Sequence, residues 1–176
     1  MLRAASLLSL SVLLSAAFAA HALEPAVPAP AKPADAAPAA SATARAVSAG
    51  ILAGIRQGAQ QDRSAKPAQI QCVQAIAPDA VAAPVQQVIE ASLGAEDRAA
   101  LETFYASALG AKYQAAMLAN ADPDKTFTPD EWARAKAVMD SPAYKKLRAA
   151  TVSSNPLAAQ KIGGVLNPLL GGCFKD

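Results

Sequence analysis

The chain has 176 residues, of which 53% are hydrophobic, 17% are charged and 5% are aromatic, and its formal net charge is +2. Because the charges nearly balance and no run of basic residues occurs, the sequence argues against nucleic acid or an anionic membrane surface as a partner. The only histidine, His21, lies near the amino terminus, so the rest of the chain lacks the usual general base and the commonest transition-metal ligand.

Residues 1–22 have the composition of a cleavable secretory signal peptide. Arg3 supplies the positive start, an apolar run extends from Leu7 to Phe18, and small residues around Ala20 fit a cleavage site. The apolar run is shorter than the roughly 20 residues of a membrane span. We therefore predict a periplasmic or secreted protein whose mature form has no transmembrane segment.

The next segment, residues 23–45, consists mainly of alanine and proline. It has no aromatic side chain, so it buries too little apolar surface to offset the entropy of ordering. Its repeated prolines favour extended conformations. We predict a disordered tether here and a single helical domain over residues 46–176, which is long enough to form one core.

A first helix is predicted over about residues 45–61. Its branched apolar residues recur every fourth position, at Val47, Ile51 and Ile55. Its glycines have the same spacing, at Gly50, Gly54 and Gly58. Small residues at this spacing let helices approach closely, so the glycine face is predicted to pack inside a helical bundle.

Capping residues and prolines mark other predicted helix boundaries. Asp79 is expected to cap a helix that has Pro84 near its start. Asn155-Pro156 is expected to begin the last helix in the same way. Asn167-Pro168 is expected to end that helix before two glycines, because a proline inside a helix removes a hydrogen bond.

The two cysteines, Cys72 and Cys173, are predicted to form a disulfide. An isolated pair in an exported protein is most simply a structural bridge, and this pair lacks the C-x-x-C spacing of redox motifs. The bridge would close a loop of about 100 residues, which the chain-entropy treatment values at about 4.7 kcal/mol as an upper figure.

An internal near-repeat is visible at an offset of 34 residues, between AEDRAALETFYASALGAKYQAA (95–116) and PDEWARAKAVMDSPAYKKLRAA (129–150). Ser107 matches Ser141, and Lys112 matches Lys146. Each serine is placed to cap a second helix, so each unit is predicted to be a helical hairpin. Strand patterns are absent from the sequence. The predicted fold is an all-α bundle of about six to eight short helices with two similar helical hairpins and one disulfide.

The stretch FYASALGAKY, residues 104–113, resembles the Phe-Phe/Tyr-x-Ser-x-x-Gly-x-Lys-Tyr signature of a family of bacterial exported (periplasmic) proteins of unknown function. The later segments TPDEW and SPAYKKL are also similar to that family, and the likeness covers about residues 70–175. Ala108 stands where the family pattern more often has proline. The resemblance implies a small helical exported domain and carries no catalytic role.

The segment NADPDKTFTPDEW, residues 120–132, has two interpretations. Its oxygen-bearing side chains lie near the ligand positions of a twelve-residue calcium loop, at Asn120, Asp122, Asp124, Thr126 and Glu131. Lys125, however, stands where such a loop needs glycine. The same letters form a capping box, in which Thr128 precedes Pro129 and Glu131 lies three positions after the threonine. Capping is the favoured interpretation, and a degenerate EF-hand-like calcium module is the alternative.

No catalytic constellation is found in the sequence, and we predict a protein that is not an enzyme. The leading hypothesis is a cell-envelope protein that binds a protein or an apolar ligand without any cofactor. A groove between the two hairpins is its predicted site, and the predicted lining is aromatic: Phe104, Tyr105, Tyr113, Trp132 and Tyr144.

Overall fold

The computed structural model describes residues 39–175, and over that range the chain forms nine helices and no strand. The helices are α1 (Ala42–Gln61), α2 (Pro67–Ala75), α3 (Ala82–Ser92), α4 (Ala95–Tyr105), α5 (Ala108–Leu118), α6 (Pro123–Thr126), α7 (Pro129–Met139), α8 (Pro142–Thr151) and α9 (Pro156–Cys173). The predicted all-α fold is confirmed, and α6, a helix of four residues, raises the count above the predicted six to eight. The predicted signal peptide, 1–22, and the predicted tether as far as residue 38 lie outside the described residues.

Helix α1 begins earlier than predicted, so the last four positions of the predicted tether are helical. Ser41 caps the helix through its side-chain oxygen. The carboxylate of Glu102, in α4, accepts hydrogen bonds from the backbone N–H groups of Ala42 at 2.7 Å and Thr43 at 3.0 Å. A carboxylate at a helix amino terminus is favoured by the helix dipole. The helix start therefore depends on a residue 60 positions away, which no local sequence pattern indicates.

The pKa of Glu102 reflects these contacts. Burial acts to raise the pKa, but hydrogen bonds from Thr43, Ala42 and Ser41 together outweigh burial and hold the pKa below its ordinary value. The contacts therefore favour the ionised carboxylate. They stabilise the folded state above the ordinary pKa of glutamate, about 4.3, and this stabilisation is lost as the pH falls through the lower folded value.

Replacing Glu102 with glutamine is expected to lower the free energy of unfolding by about 1–2 kcal/mol at pH 7, because hydrogen bonds to a charged acceptor become bonds to a neutral one. The difference from the unmodified protein should shrink as the pH falls below about 4. Urea unfolding at a series of pH values from 7 to 3 measures it. Glu96→Gln, which changes an exposed carboxylate of the same helix, is the control. If the difference in free energy of unfolding between Glu102→Gln and the unmodified protein does not change with pH, the ionised Glu102 carboxylate does not stabilise the start of α1.

The main hydrophobic core is organised around α3. This helix packs against α1, α8 and α9, and its inward residues Val85, Val88 and Ile89 are buried. A second, smaller core lies between the two predicted hairpins and is formed by aromatic and small residues: Phe104, Tyr113, Ala116, Phe127 and Ala135. The two cores meet at Tyr105, which contacts both.

The glycine face of α1 does not pack against another helix, so that prediction is wrong. An added Cβ at Gly50, Gly54 or Gly58 would meet no atom within 4 Å. The buried face of α1 instead carries Ser48 and Leu52, which are almost fully buried, and the Ser48 hydroxyl donates to the Pro78 carbonyl at 2.8 Å. The apolar residues of the main core select this face, and the glycines are left facing open space.

The start of α3 also differs from the prediction. Asp79 does not cap the helix, because α3 begins at Ala82 and the fully buried Val81 occupies the cap position. The Asp79 carbonyl accepts the Ala82 N–H at 2.8 Å within the preceding turn. Pro84 lies in the first turn, where a helix has no internal acceptor for its N–H groups, so the proline is tolerated as predicted.

Helix α9 continues through Pro168 to Cys173, so the predicted end at Asn167-Pro168 is wrong. The predicted disulfide is present, with the Cα atoms of Cys72 and Cys173 5.4 Å apart. It joins the last residue of α9 to α2, and the two helices pack together. Covalent attachment and this packing offset the hydrogen bond that the proline removes.

The two predicted hairpins, α4–α5 and α7–α8, match closely in structure. Helix α4 begins and ends 34 positions before α7, and α5 begins 34 positions before α8. Ser107 and Ser141 cap the second helix of each hairpin, accepting from Gly110 N–H at 3.0 Å and from Tyr144 N–H at 3.2 Å. Each serine hydroxyl also donates to a carbonyl three positions earlier, at 2.6 Å. The predicted serine caps are therefore confirmed.

The hairpins pack on each other reciprocally. Helix α4 contacts α8, and its counterpart α7 contacts α5, which is the counterpart of α8. Two ion pairs cross between the hairpins in the same way, Lys112 with Glu131 at 2.6 Å and Lys146 with Asp97 at 2.7 Å. The lysines are 34 positions apart, and so are the acids. Each contact from the first hairpin to the second is thus matched by the equivalent contact from the second to the first. Such reciprocal contacts are typical of two units related by a two-fold axis, which is local and approximate here.

Candidate functional site

Three of the five predicted groove aromatics line one cavity. Tyr105, Tyr113 and Tyr144 face a space of about 210 Å³, which we call the tyrosine cavity. It is bounded by α5 and α8 of the two hairpins and, unlike the predicted groove, also by α1, which contributes Val47 and Gly50. The sequence suggested a site between the hairpins, whereas the structure builds it between the hairpins and the first helix.

The other two predicted groove residues have packing roles. Phe104 is buried beneath the cavity, with its ring centroid 5.2 Å from that of Tyr105 and 5.8 Å from that of Tyr113. Trp132 lies outside the cavity, 5.7 Å from the Phe127 ring. Phe127 directly precedes the cap of α7 and Trp132 is the fourth residue of that helix, so the pair forms a hydrophobic staple.

The tyrosine cavity arises where the two hairpins differ. At the 34-residue offset, the three tyrosines match residues without a phenol, in the pairs Tyr105 with Met139, Tyr113 with Leu147, and Tyr144 with Gly110. Two of the tyrosines belong to the first hairpin and the third belongs to the second, so phenols from both hairpins meet on the side that faces α1. The Tyr113 hydroxyl also contacts the Met139 sulfur at 2.7 Å. The approximate two-fold symmetry is therefore broken where the cavity forms.

Gly110 allows α5 to approach α4 closely. A Cβ at this position would lie 2.0 Å from the Phe104 carbonyl oxygen and 2.8 Å from the Tyr105 Cα. These are backbone atoms, which cannot move aside as a flexible side chain can. The position of Tyr113, one turn further along α5, therefore depends on the absence of a side chain at residue 110.

Two of the cavity phenols, those of Tyr105 and Tyr113, are held in the neutral form. Burial raises the pKa of Tyr105 and of Tyr113, and the neighbouring Tyr144 raises both further. The positive charge of Arg148, which also lines the cavity, acts on Tyr113 in the opposite direction but does not reverse the shift. The two hydroxyls therefore keep their protons at neutral pH, and the Tyr113 hydroxyl donates a hydrogen bond to the Met139 sulfur.

A second cavity, of about 620 Å³, continues from the first along the exposed glycines of α1, and we call it the glycine groove. The two cavities share Gly50, Met117 and Leu118. Both apolar side chains are exposed, Met117 by 61% and Leu118 by 44%. Exposed large apolar side chains beside a concave surface are typical of a binding site.

The predicted calcium ligands lie at three helix ends. Asn120 has φ of 49° and follows α5, where the Ala121 N–H donates to the Ala116 carbonyl at 2.9 Å, the pattern of a Schellman motif. Asp122 caps α6 by accepting from the Asp124 N–H at 3.0 Å. The Thr126 hydroxyl donates to the Asp122 carbonyl at 2.8 Å.

The last of these predicted ligands, Glu131, belongs to the capping box of α7. It accepts the Thr128 N–H at 2.9 Å, and Thr128 accepts the Glu131 N–H in return, as the sequence predicted. The hydrogen bond from the Lys112 ammonium holds the pKa of Glu131 below its ordinary value. Calcium binding by this segment stays a prediction, and it would have to displace these contacts.

Within residues 39–175, no three side chains of the types His, Cys, Asp and Glu converge as a metal site requires. Over the same residues, no helix combines the length and the hydropathy that a membrane crossing demands. Comparisons of the chain with protein-family models, with curated proteins and with solved structures find no match.

Proposed function

We propose that this domain is a non-enzymatic binding protein that holds a small, largely apolar ligand in the tyrosine cavity. The observation that carries the proposal is the meeting of Tyr105, Tyr113 and Tyr144 beside two exposed apolar side chains, Met117 and Leu118. Tyrosine presents an apolar ring together with a hydrogen-bonding hydroxyl, a combination suited to holding and orienting a ligand.

The protonation state of Tyr105 and Tyr113 favours a role in binding over a role in catalysis. A general base works best when its pKa lies near the operating pH, and the pKa values of Tyr105 and Tyr113 are moved further from neutrality. No histidine occurs in the described part of the chain. The groups that face the cavity can therefore donate hydrogen bonds, but they are poorly suited to removing a proton from a ligand.

A cell-envelope location is part of the proposal. The Cys72–Cys173 disulfide is compatible with an oxidising compartment. The leader-like residues 1–22 point the same way. In that location the domain would sequester or carry its ligand, and binding of a protein partner remains a hypothesis from the sequence.

The experiment uses the glycines of α1 to fill the site without disturbing the core. In Gly50→Leu the new side chain projects from the shared wall of both cavities, where an added Cβ meets no atom within 4 Å. The variant should bind the neutral apolar dye N-phenyl-1-naphthylamine at least about 10-fold more weakly than the unmodified domain, as judged from the saturable rise in dye fluorescence.

Gly58→Leu is the matched control for this test. Gly58 lies on the same helix, also has open space around an added Cβ, and lines neither cavity. Its dye affinity should equal that of the unmodified domain. Equal dye binding by all three proteins, or no saturable binding by the unmodified domain, would contradict the proposed function.

A further inference from the structure

The charged side chains that line the two cavities are all positive. Neither lining contains an acidic side chain, whereas Arg148 lines the tyrosine cavity and Arg56 lines the glycine groove. The Arg56 guanidinium already donates to the Ile76 carbonyl. Among residues 39–175, by contrast, no acceptor or carboxylate pairs with the Arg148 guanidinium. Arg148 is therefore an exposed cation at the edge of the tyrosine cavity whose guanidinium has no protein partner among these residues.

Hydroxyl and amide groups add hydrogen-bonding capacity beside Arg148. Tyr105 and Tyr144 bring hydroxyl groups to the same cavity as Arg148, and Gln114 adds an amide, whereas the Tyr113 hydroxyl already donates to the Met139 sulfur. A guanidinium and phenol donors together form the set of groups that hold a carboxylate or similar anion. A neutral or cationic head group would leave the arginine without a partner.

The glycine groove supplies room for an elongated group, and its lining mixes small and apolar residues with polar side chains that include Gln57 and Gln60. The α1 residues that line the two cavities extend from Ala46 to Gln60, which is about 21 Å at the helical rise of 1.5 Å per residue. Gly50 and Gly54 leave the surface of α1 without side chains along this path. Met117 and Leu118 form the facing wall, next to the junction of the two cavities.

We propose that the ligand is a single-chain amphiphile with an anionic head group, of the class of a fatty acid. The head group binds Arg148 and the hydroxyls of Tyr105 and Tyr144, and the chain passes Gly50 and lies in the glycine groove. This inference rests on the proposed function, since it names the class of ligand for the same site. The combination of a cation without a protein partner, phenol donors and an elongated groove that begins beside Met117 and Leu118 favours this class over compact or neutral ligands.

Two ligands of equal chain length distinguish the contribution of the head group to binding from that of the chain. Dodecanoate and dodecanol each compete with N-phenyl-1-naphthylamine for the unmodified domain, and dodecanoate should bind about 10-fold more tightly because it alone carries a charge for Arg148. Arg148→Gln should abolish this preference, weakening dodecanoate about 10-fold and leaving dodecanol within about 2-fold. Lys145→Gln, which removes an equal charge from the same helix outside both cavities, should change neither affinity.

The position of the chain is tested by Gly54→Leu, which fills the glycine groove beyond the tyrosine cavity. This variant should weaken dodecanoate about 10-fold, whereas Gly58→Leu should not. Equal affinity for the two ligands, or an equal loss in Arg148→Gln and Lys145→Gln, would overturn the anionic head group. Undiminished binding of dodecanoate by Gly54→Leu would overturn the path of the chain.

Failure of this inference is distinguishable from failure of the proposed function. If dodecanol binds as well as dodecanoate and Gly50→Leu weakens both, the cavity is a binding site without preference for an anion. If neither ligand displaces a dye whose binding Gly50→Leu prevents, the fatty-acid class is wrong while an apolar site remains. If Gly50→Leu leaves dye binding unchanged, both proposals fail.

Discussion

Replacing Cys72 and Cys173 together with serine is expected to lower the free energy of unfolding by about 3–5 kcal/mol. The two cysteines are 101 positions apart, so the bridge restricts the unfolded chain over most of the domain. The chain-entropy treatment gives about 4.7 kcal/mol for a loop of this size, and removal of native disulfides typically costs about 2–5 kcal/mol. Urea unfolding of the double variant at neutral pH measures the loss.

Reduction of the unmodified protein provides the control for this prediction. A reductant should lower the stability of the unmodified protein toward that of the double serine variant and should not affect the variant itself. The loss should also be local at first: α2 and the end of α9 beyond Pro168 should exchange their amide protons faster than α3. A change in stability below about 1 kcal/mol would contradict the structural role of the bridge.

Replacing Gly110 with alanine is expected to be the most disruptive single methyl addition in the hairpins. In an ordinary helix interior this change would stabilise by up to about 1 kcal/mol, because glycine is a poor helix former. Here the new Cβ would meet the Phe104 carbonyl oxygen at 2.0 Å. Overpacking of this kind costs about 1–3 kcal/mol. Because the new Cβ would meet backbone atoms and not a flexible side chain, we expect the free energy of unfolding to fall by about 3 kcal/mol. Thermal and urea unfolding measure it.

Gly58→Ala is the matched control, because its added Cβ meets no atom within 4 Å. This variant should be as stable as the unmodified protein or more stable by up to about 1 kcal/mol. The two substitutions add the same methyl group to a helix and should have opposite signs. A stable Gly110→Ala variant would show that α4 and α5 can separate at little cost, and it would remove the reason for glycine at this position.

The close approach of α5 to α4 at Gly110 involves a position whose counterpart in the second hairpin, Tyr144, lines the candidate site. Gly110 and Tyr144 occupy equivalent positions of the two hairpins, yet one must be glycine and the other carries a large aromatic side chain. In the first hairpin the space is used for packing of α5 on α4. In the second it is filled by a phenol that faces the tyrosine cavity. Two similar hairpins therefore have different tasks at the same position.

Part of the candidate site could be predicted from the sequence. The sequence predicts Tyr105, Tyr113 and Tyr144 as lining residues of a groove between the two hairpins, and the structure brings these three together. Phe104 and Trp132 are predicted in the same groove but serve packing, since the sequence does not indicate which way a side chain faces. Arg148 could have been noticed only through its spacing of four from Tyr144 on one helix face.

The contribution of α1 to the site was missed for a related reason. Glycines spaced by four indicate a smooth helix face, and such a face either packs against another helix or borders open space. Local sequence cannot decide between the two. The face of α1 that carries Ser48 and Leu52 is the one that packs against the core. The glycine face is therefore exposed, and Gly50 and Gly54 border the glycine groove.

The sequence by itself determined the class of fold, the serine caps, the hairpin repeat, the capping box at Thr128 and the pairing of the two cysteines. All of these follow from short-range backbone chemistry or from there being only two thiols to join. Only the tertiary structure decided where α1 begins, that α9 passes through Pro168, how the hairpins pair and where the cavities open. These features depend on contacts between residues far apart in the chain, such as Glu102 with Thr43 and Lys146 with Asp97, and a local sequence pattern does not record such contacts.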